Sequence, residues 1–407
     1  MSQQIIIVGA GMATAYLLQA LARHQHDLRI TVIGDEPEAC YNRVMLSAVL
    51  AGESVAQDLQ MLDTQVGAGA VNFITGTRVE SVQLDNKTVC TDKGETLGYD
   101  RLVMATGASV HKPDLENSWV GGVQELRTLR DAQRLRNIAS HGATAVVVGG
   151  GLLGLEAADG LNQLGFSTSV LHRRPWLMNR QLNREGGELL QCKLEKKGIS
   201  FRLEKSVSRL VLQREKLVAL ELNNAEQIAC DLLVFATGIN PNKCLSAASG
   251  LETDRGVLVN AYMHTSQQHC YALGECTQLG QQCFGLVAPV RAQAEVLARQ
   301  LLDMDGPGFE LEDWPTQLKI SGVDIFSAGQ LQQPGEELVL RDRGAGIYRR
   351  LLLRQGRLVS AVLVGDKRDA SWYRELIHSA QDVSGFRNQL MFGRTTCEAM
   401  QTAAAAA

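Results

Sequence analysis

Ile5-Ile6-Ile7-Val8-Gly9-Ala10-Gly11-Met12-Ala13-Thr14 lies at the start of the chain, and Val146-Val147-Val148-Gly149-Gly150-Gly151-Leu152-Leu153-Gly154 repeats its plan 140 positions later (149 minus 9). Each is a short β-branched run, then a glycine-rich turn, then the start of an apolar-faced helix. Small residues at such a turn let backbone N–H groups approach a pyrophosphate, and the helix N-terminus adds a favourable dipole. One such turn is weak evidence, since glycines also serve tight turns. Strand, turn and helix in the right order at both places is much stronger. The chain reads as two dinucleotide-binding folds, the combination expected where electrons pass from one dinucleotide to another.

Working outward, Ile5–Val8, a helix over 12–23 and a strand over 29–33 make one βαβ unit. Residues 59–98 alternate short apolar and polar runs around Asp85-Asn86 and Asp92-Lys93-Gly94, which predicts a few antiparallel strands. They lead into a buried strand at 102–105. The second βαβ unit takes 144–148, a helix over 152–164 ended by Gly165, and 167–171. Another buried strand follows at 232–236. Both late strands close on the same tripeptide, Ala105-Thr106-Gly107 and Ala236-Thr237-Gly238, which predicts two similarly wound sheets. A helix is expected over 289–302, a linker at Gly306-Pro307-Gly308, and then strand-like runs (317–320, 346–354, 358–364) with a helix near 371–380. The fold class is therefore α/β, two Rossmann-like domains with a small C-terminal α+β domain. The boundaries are 1–115 and 240–305 for the first nucleotide domain, 116–239 for the second and 309–395 for the last.

Bulk properties narrow the classes. At 407 residues, two or three domains are expected. A net charge of −4 and only 5% aromatic residues argue against nucleic acid or an anionic membrane surface as the partner. The nine cysteines contain no C-x-x-C pair, which fits reduced thiols in the cytoplasm and leaves no ligand set for a zinc or iron–sulfur site. The apolar stretch 4–22 lacks a basic lead-in and is broken by Gly9 and Gly11, so it reads as a strand and helix, not as a leader. No other run reaches about 18 apolar residues, so no membrane span is expected.

The turns name candidate ligand-binding residues: Gly9, Ala10, Gly11, Met12 and Ala13 in the first, and Gly149, Gly151, Leu152 and Gly154 in the second. Thr14 stands where glycine or alanine usually gives close helix–strand packing, and Ala13 and Ala15 are expected to share that job. An acid after the second strand binds the adenosine ribose in such folds. Asp35 or Glu36 can do so here, Asp35 being the first choice, with a solvated turn carboxylate as the alternative for each. The second fold has His172, Arg173 and Arg174 at that place. Arginines there suit the 2′-phosphate of NADPH, where an acid would favour NADH; arginines that simply face water are the alternative.

These fingerprints, the two Ala-Thr-Gly closes and Tyr271-Ala272-Leu273-Gly274-Glu275-Cys276 together resemble the FAD-dependent pyridine nucleotide–disulfide oxidoreductase superfamily. Tyr41-Asn42-Arg43-Val44-Met45-Leu46-Ser47, 148–158, 175–187, Gly285–Pro289 and Ala361–Asp366 bring it closest to the flavoprotein portion of assimilatory NAD(P)H nitrite reductase large subunits and of nitrate reductase electron-transfer subunits. The resemblance covers about 1–395 and implies a glutathione-reductase-like arrangement. It implies FAD at the first turn and NADH or NADPH at the second. Arg43 and Ser47 would lie along the flavin and its phosphates, with the closes at 105–107 and 236–238 and the Gly274-Glu275 turn around them. Val287 and Ala288 would set a helix N-terminus by the pyrimidine edge of the flavin. Glu156 would stand near the flavin–nicotinamide junction as the catalytic acid; a helix-start capping acid is the plainer reading.

Two departures stand out. Ala48 occupies a place where several ferredoxin-reductase relatives carry a lysine paired with the acid at position 156. Cys40 stands alone where disulfide reductases carry a C-x4-C pair, which excludes a dithiol relay. The resemblance then implies hydride transfer from NAD(P)H to FAD, stacked across the two domains. Electrons would next pass outward to a separate metal-containing acceptor, a nitrate or nitrite reductase component. Rubredoxin or ferredoxin is the rival acceptor. For an acidic carrier, Arg341, Arg343, Arg349, Arg350 and Arg354 would make a basic docking patch, a solvated strand face being the alternative. A redox sensor that keeps FAD but turns over slowly is the reading from another class.

Overall fold

The computed structural model describes residues 2–62, 71–111, 113–115, 121–139, 142–311, 316–317, 320 and 322–405. The chain divides into two compact units. One comprises Met1–His111, Arg127–Leu129 and Gly238–Glu312; the other comprises Lys112–Leu126, Arg130–Thr237 and Asp313–Ala407.

In the first unit, β1 (Gln4–Val8) leads through α1 (Met12–Leu21) to β2 (Arg29–Ile33), followed by β3 (Val71–Ile74) and β4 (Arg101–Met104). These strands and Cys270–Ala272 form one parallel sheet in the order Cys270–Ala272, β4, β1, β2, β3. Ile5, Ile6 and Ile7 are wholly buried, as a strand covered on both faces requires. Val71–Ile74, expected among antiparallel strands, instead pairs parallel with β2. Only Val79–Gln83, Thr88–Thr91 and Thr96–Gly98 form the antiparallel meander.

The second unit repeats the winding. Its strands are β5 (Val123–Glu125), β6 (Thr144–Val148), β7 (Ser167–His172), β8 (Ser200–Leu203) and β9 (Leu232–Phe235), with α2 (Leu152–Gln163) between β6 and β7. The sheet order is β5, β9, β6, β7, β8, parallel throughout. Thus β6 stands to β7 and β9 as β1 stands to β2 and β4, which is the doubled architecture that the echoed tripeptides predict.

The C-terminal part of this unit is an antiparallel sheet of β10 (Thr316–Gln317), β11 (Ile325–Gly329), β12 (Glu336–Asp342), β13 (Ile347–Arg354) and β14 (Arg357–Val364), ordered β10, β11, β14, β13, β12. Helix α3 (Ala370–Ser379) lays Tyr373 and Leu376, three apart on one face, onto Phe326, Leu351, Leu358 and Leu363. The arginine patch expected here loses two of its five members to burial, while Arg341, Arg343 and Arg354 are exposed. Arg349 and Arg350 are each only 6% exposed. Arg349 donates to the Tyr373 hydroxyl at 3.0 Å and the Met391 carbonyl at 2.7 Å, and Arg350 reaches Glu337 at 2.6 Å. Arg341 forks onto Glu185 at 2.8 Å through both donors. Arg349 and Arg350 are structural because strand alternation turns them to the two faces of a covered sheet.

Among the described residues, no helix is long and apolar enough to cross a membrane.

Candidate functional site

The two turns are built alike, atom for atom, where the backbone is concerned. Gly9 has φ +116° and Gly149 φ +132°. A Cβ on Gly9 would drive into the Ala105 carbonyl oxygen, and one on Gly149 into that of Ala236, so the first residue of each Ala-Thr-Gly close is what each turn rests on. Gly9 N–H donates to Ile33 at 2.7 Å and Gly149 N–H to Leu171 at 2.9 Å, tying each turn to its second strand. The next carbonyls, of Ala10 and Gly150, accept from Cys40 (2.6 Å) and Met178 (2.8 Å), two residues with left-handed φ of +53° and +48°.

Gly11 and Gly151 differ from their neighbours. Both are helix N-caps with ordinary extended backbone, φ/ψ −94°/−165° and −90°/−177°, which any residue adopts. A Cβ at either would meet nothing within 4 Å. Neither conformation nor packing asks for glycine there, and neither helix start has a side-chain cap. The N–H groups of Met12, Ala13, Leu152 and Leu153 open each helix above clear space, the donors that a pyrophosphate needs. Both turns therefore fit a dinucleotide.

Their third positions differ. At Gly154 a Cβ would collide with the Gly149 carbonyl. At the matching Thr14, wholly buried, the hydroxyl donates to the Gly9 carbonyl at 2.6 Å. Thr14 itself therefore replaces close contact by a hydrogen bond. Ala13 has a different job: it lies against Gly274, where a Cβ would fall 2.8 Å from its own.

Around the first turn, four charged side chains assemble. Glu36 takes hydrogen bonds from Tyr41 (2.6 Å) and Arg43, and Arg43 stacks over the Tyr41 ring at 4.9 Å. Burial works against its charge, yet Tyr41 and Glu36 hold the Arg43 guanidinium above its usual pKa. Arg43 also donates to the Arg127 carbonyl at 3.0 Å, and Arg127 pairs with Glu275 while its Nε reaches the Ala108 carbonyl at 3.1 Å. Glu275 sits in a locked turn. Gly274 N–H donates to buried Gln293 at 2.9 Å, and its carbonyl accepts from Thr277 at 2.7 Å. Thr106 and Gly107 are held beside it through Asn242, which bonds Thr106 on both sides at 2.7 and 2.8 Å. Asp35 is apart from this group, 60% exposed and 3.5 Å from Arg78. Ser47 lies half-buried in Leu46–Ala51, and Val287 and Ala288 open helix Val287–Leu301, which starts two residues before its expected place and has no side-chain cap. Arg127 escaped sequence reasoning; the usable signal was an arginine just before the helix Leu129–Asn137.

Around the second turn, His172 closes β7. Its Nδ1 accepts from Gly150 N–H at 3.1 Å and its Nε2 faces Asn179 Oδ1 at 3.3 Å. That pattern requires neutral imidazole with the proton on Nε2. Burial pushes the His172 pKa down, Arg173 and Arg174 adding to the shift and Asn179 opposing it. Arg173 and Arg174 are exposed. Glu156 is 4% exposed on α2 and lies past the first turn of that helix, which contains no acid, so the reading as a capping acid does not hold. Gly238 carries φ +115° and its carbonyl accepts from His111 at 2.8 Å, while Ala236 and Thr237 complete the close after β9.

All nine cysteines are free. Cys40, nearest the first turn, is buried and its thiol is pushed up to about 12 by that burial. No thiolate is available there to relay electrons.

A sequence model described as pyridine nucleotide-disulphide oxidoreductase matches residues 3–294, and one described as rubredoxin NAD+ reductase C-terminal domain matches 315–381. The chain is 37% identical to the nitrite reductase [NAD(P)H] of Bacillus subtilis (strain 168), over 94% of this chain and 48% of that protein. It is 33% identical to the assimilatory nitrate reductase electron transfer subunit of the same organism, over 97% of this chain and 52% of that one. It spans about half the length of these two relatives. The ferredoxin–NAD(+) reductase component of a biphenyl dioxygenase system from Paraburkholderia xenovorans (strain LB400) is 30% identical over 94% of this chain and 95% of its own length. The first match runs unbroken from β1 past Glu275 into helix Val287–Leu301, through both turns and both closes, and on this ground the chain belongs to the pyridine nucleotide-disulphide oxidoreductase family.

Proposed function

We propose that this chain is a FAD-dependent NAD(P)H oxidoreductase that delivers electrons to a separate metal-containing acceptor protein, a component of nitrate or nitrite reduction. The single observation that carries the reading is the pair Gly11 and Gly151, glycines which the protein's own backbone and packing do not need. Bound FAD would supply the chemistry of accepting a hydride and of one-electron release.

The residues divide the work. Gly9, Ala10, Gly11, Met12 and Ala13 hold the FAD pyrophosphate, with Ala105, Thr106, Gly107 and Gly274 around it. Glu36, with Asp35 at the rim, offers the ribose carboxylate. Arg43, Ser47 and Arg127 supply donors to the phosphates, and Glu275 accepts from the ribityl region. The uncapped N–H groups of Val287 and Ala288 would offer donors and the positive end of a helix dipole to a flavin that gains negative charge. Gly149, Gly151, Leu152 and Gly154 hold the nicotinamide dinucleotide, His172, Arg173 and Arg174 face its adenosine end, and Ala236, Thr237 and Gly238 flank it. Glu156 orients the nicotinamide end. The domains follow as 1–115 with 240–305 for FAD and 116–239 for NAD(P)H, with 309–395 as a cap. The nine free cysteines favour the cytoplasm as its compartment.

Ferredoxin or rubredoxin as acceptor is the second reading, favoured by the match over 315–381 and by near-complete coverage of a ferredoxin reductase component. Stopped-flow mixing of FAD-loaded protein with NADH or NADPH tests the core claim. Flavin bleaching within seconds is expected. Bleaching slower than minutes leaves a flavin-holding sensor and rejects the oxidoreductase. Reoxidation by a nitrite reductase metal domain, by ferredoxin or by rubredoxin then ranks the acceptors.

A further inference from the structure

The chain contains its own control for reading the second site. Register pairs Val8 with Ile33 across β1 and β2, and Val148 with Leu171 across β6 and β7. The three residues that follow are therefore equivalent: Gly34, Asp35, Glu36 in the first fold and His172, Arg173, Arg174 in the second. The same backbone positions carry two carboxylates in one fold and two guanidiniums in the other.

Of the three in the second fold, His172 is engaged by the protein. Its ring fills the space above Gly150, where a Cβ would fall 2.7 Å from it, and both its nitrogens have partners. In the first fold the equivalent space is filled the other way, with Gly34 bare and the Ala10 methyl 2.6 Å from where its Cβ would be. That leaves Arg173 and Arg174, both exposed and without an ion-pair partner among the described residues. The next acid along the chain is Glu185, eleven positions on (185 minus 174) and forked by Arg341. Glu204 and Lys205, the two residues that follow β8, come to this corner with their N–H groups on the Arg174 and His172 carbonyls at 3.4 and 3.2 Å, and their opposite charges add no net charge.

We infer that the second site selects a dinucleotide bearing a 2′-phosphate, NADPH over NADH, and that Arg173 and Arg174 read that phosphate. This rests on the proposal that the second turn holds the nicotinamide dinucleotide. Guanidinium has five donors and no acceptor, so it offers a phosphate charge-assisted, bidentate contacts and offers the proton of a 2′-hydroxyl nothing. One such contact distinguishes the two ligands by roughly ten- to a hundredfold.

Calorimetric titration of the full chain with NADP+ and NAD+, which differ only in that phosphate, tests this without any turnover. NADP+ is expected to bind at least about tenfold tighter, more so at low salt. In R173Q/R174Q the difference should shrink to roughly threefold or less, with R173K/R174K intermediate. Equal binding by the native chain, or a preference that survives in R173Q/R174Q, overturns the inference while leaving the dinucleotide site standing. Binding of neither nucleotide overturns both.

Discussion

A Cβ placed on Gly149 would drive into the carbonyl oxygen of Ala236, which joins the glycine turn to the strand end across the sheet. Gly149→Ala must adopt a left-handed backbone and displace that carbonyl as well. A loss of about 3 kcal/mol or more in urea unfolding is expected, and insoluble protein is the extreme outcome. Gly9→Ala should behave the same way.

Gly151→Ala should do the opposite. Stability within about 0.5 kcal/mol of the native chain is expected, because the new methyl meets open space and the backbone is ordinary. Nucleotide affinity should fall by roughly tenfold or more as the methyl blocks approach to the helix N-terminus. Gly11→Ala should likewise fold and retain less FAD. If Gly151→Ala unfolds the chain as readily as Gly149→Ala, that turn has no special open face.

Arg127 and Glu275 form a half-buried pair. Arg127→Ala takes from the Glu275 carboxylate its hydrogen-bonded partner, leaving only the more distant charge of Arg43, and removes a proposed phosphate donor. FAD retention after gel filtration should drop by roughly tenfold, and Arg127→Lys should restore only part of it. Glu275→Gln, which keeps a hydrogen-bonding group of the same size, should cost less.

His172 gives a pH signature with a defined sign. Its folded pKa lies below the ordinary 6.5, so the unfolded chain binds the extra proton more readily. The stability it contributes is complete above about pH 6.5 and is lost as pH falls through the lowered folded value. Urea midpoints between about pH 5 and 7.5 should therefore slope upward in the native chain. His172→Gln should flatten that part of the slope.

Arg349 is expected to matter for folding and not for docking. Arg349→Ala removes donors to Tyr373 and Met391 and the 3.7 Å contact with Asp366, and should cost about 2–4 kcal/mol. Arg343→Ala, at an exposed position, should fall within about 0.5 kcal/mol of the native chain.

What was legible in the sequence was whatever repeats at short range. The β-branched runs, both turns and both closes are local signals, and register then dictates that 105 must meet 9 and 236 must meet 149. The antiparallel expectation for 71–74 erred because a four-residue strand carries no mark of its partner's direction. Arg349 and Arg350 read in sequence as members of an exposed basic patch because alternation sends adjacent residues to opposite faces, and only tertiary cover decides whether either face is wet. Arg127 was unreadable for a related reason: its partner Glu275 lies 148 residues away. Glu36 and Asp35, adjacent in sequence, are told apart only by Tyr41 and Arg43 folding back onto one of them.

The exchange of volume between positions 10 and 34, and between 150 and 172, means that within each pair the order of substitution is fixed. A methyl at 150 is tolerable only once the imidazole at 172 has gone, and a side chain at 34 only once position 10 is bare. Relatives of this chain should show these positions covarying inversely in size. Position 172 immediately precedes Arg173 and Arg174, so a substitution made there for packing at the turn also resets the backbone from which the two proposed phosphate-reading arginines start.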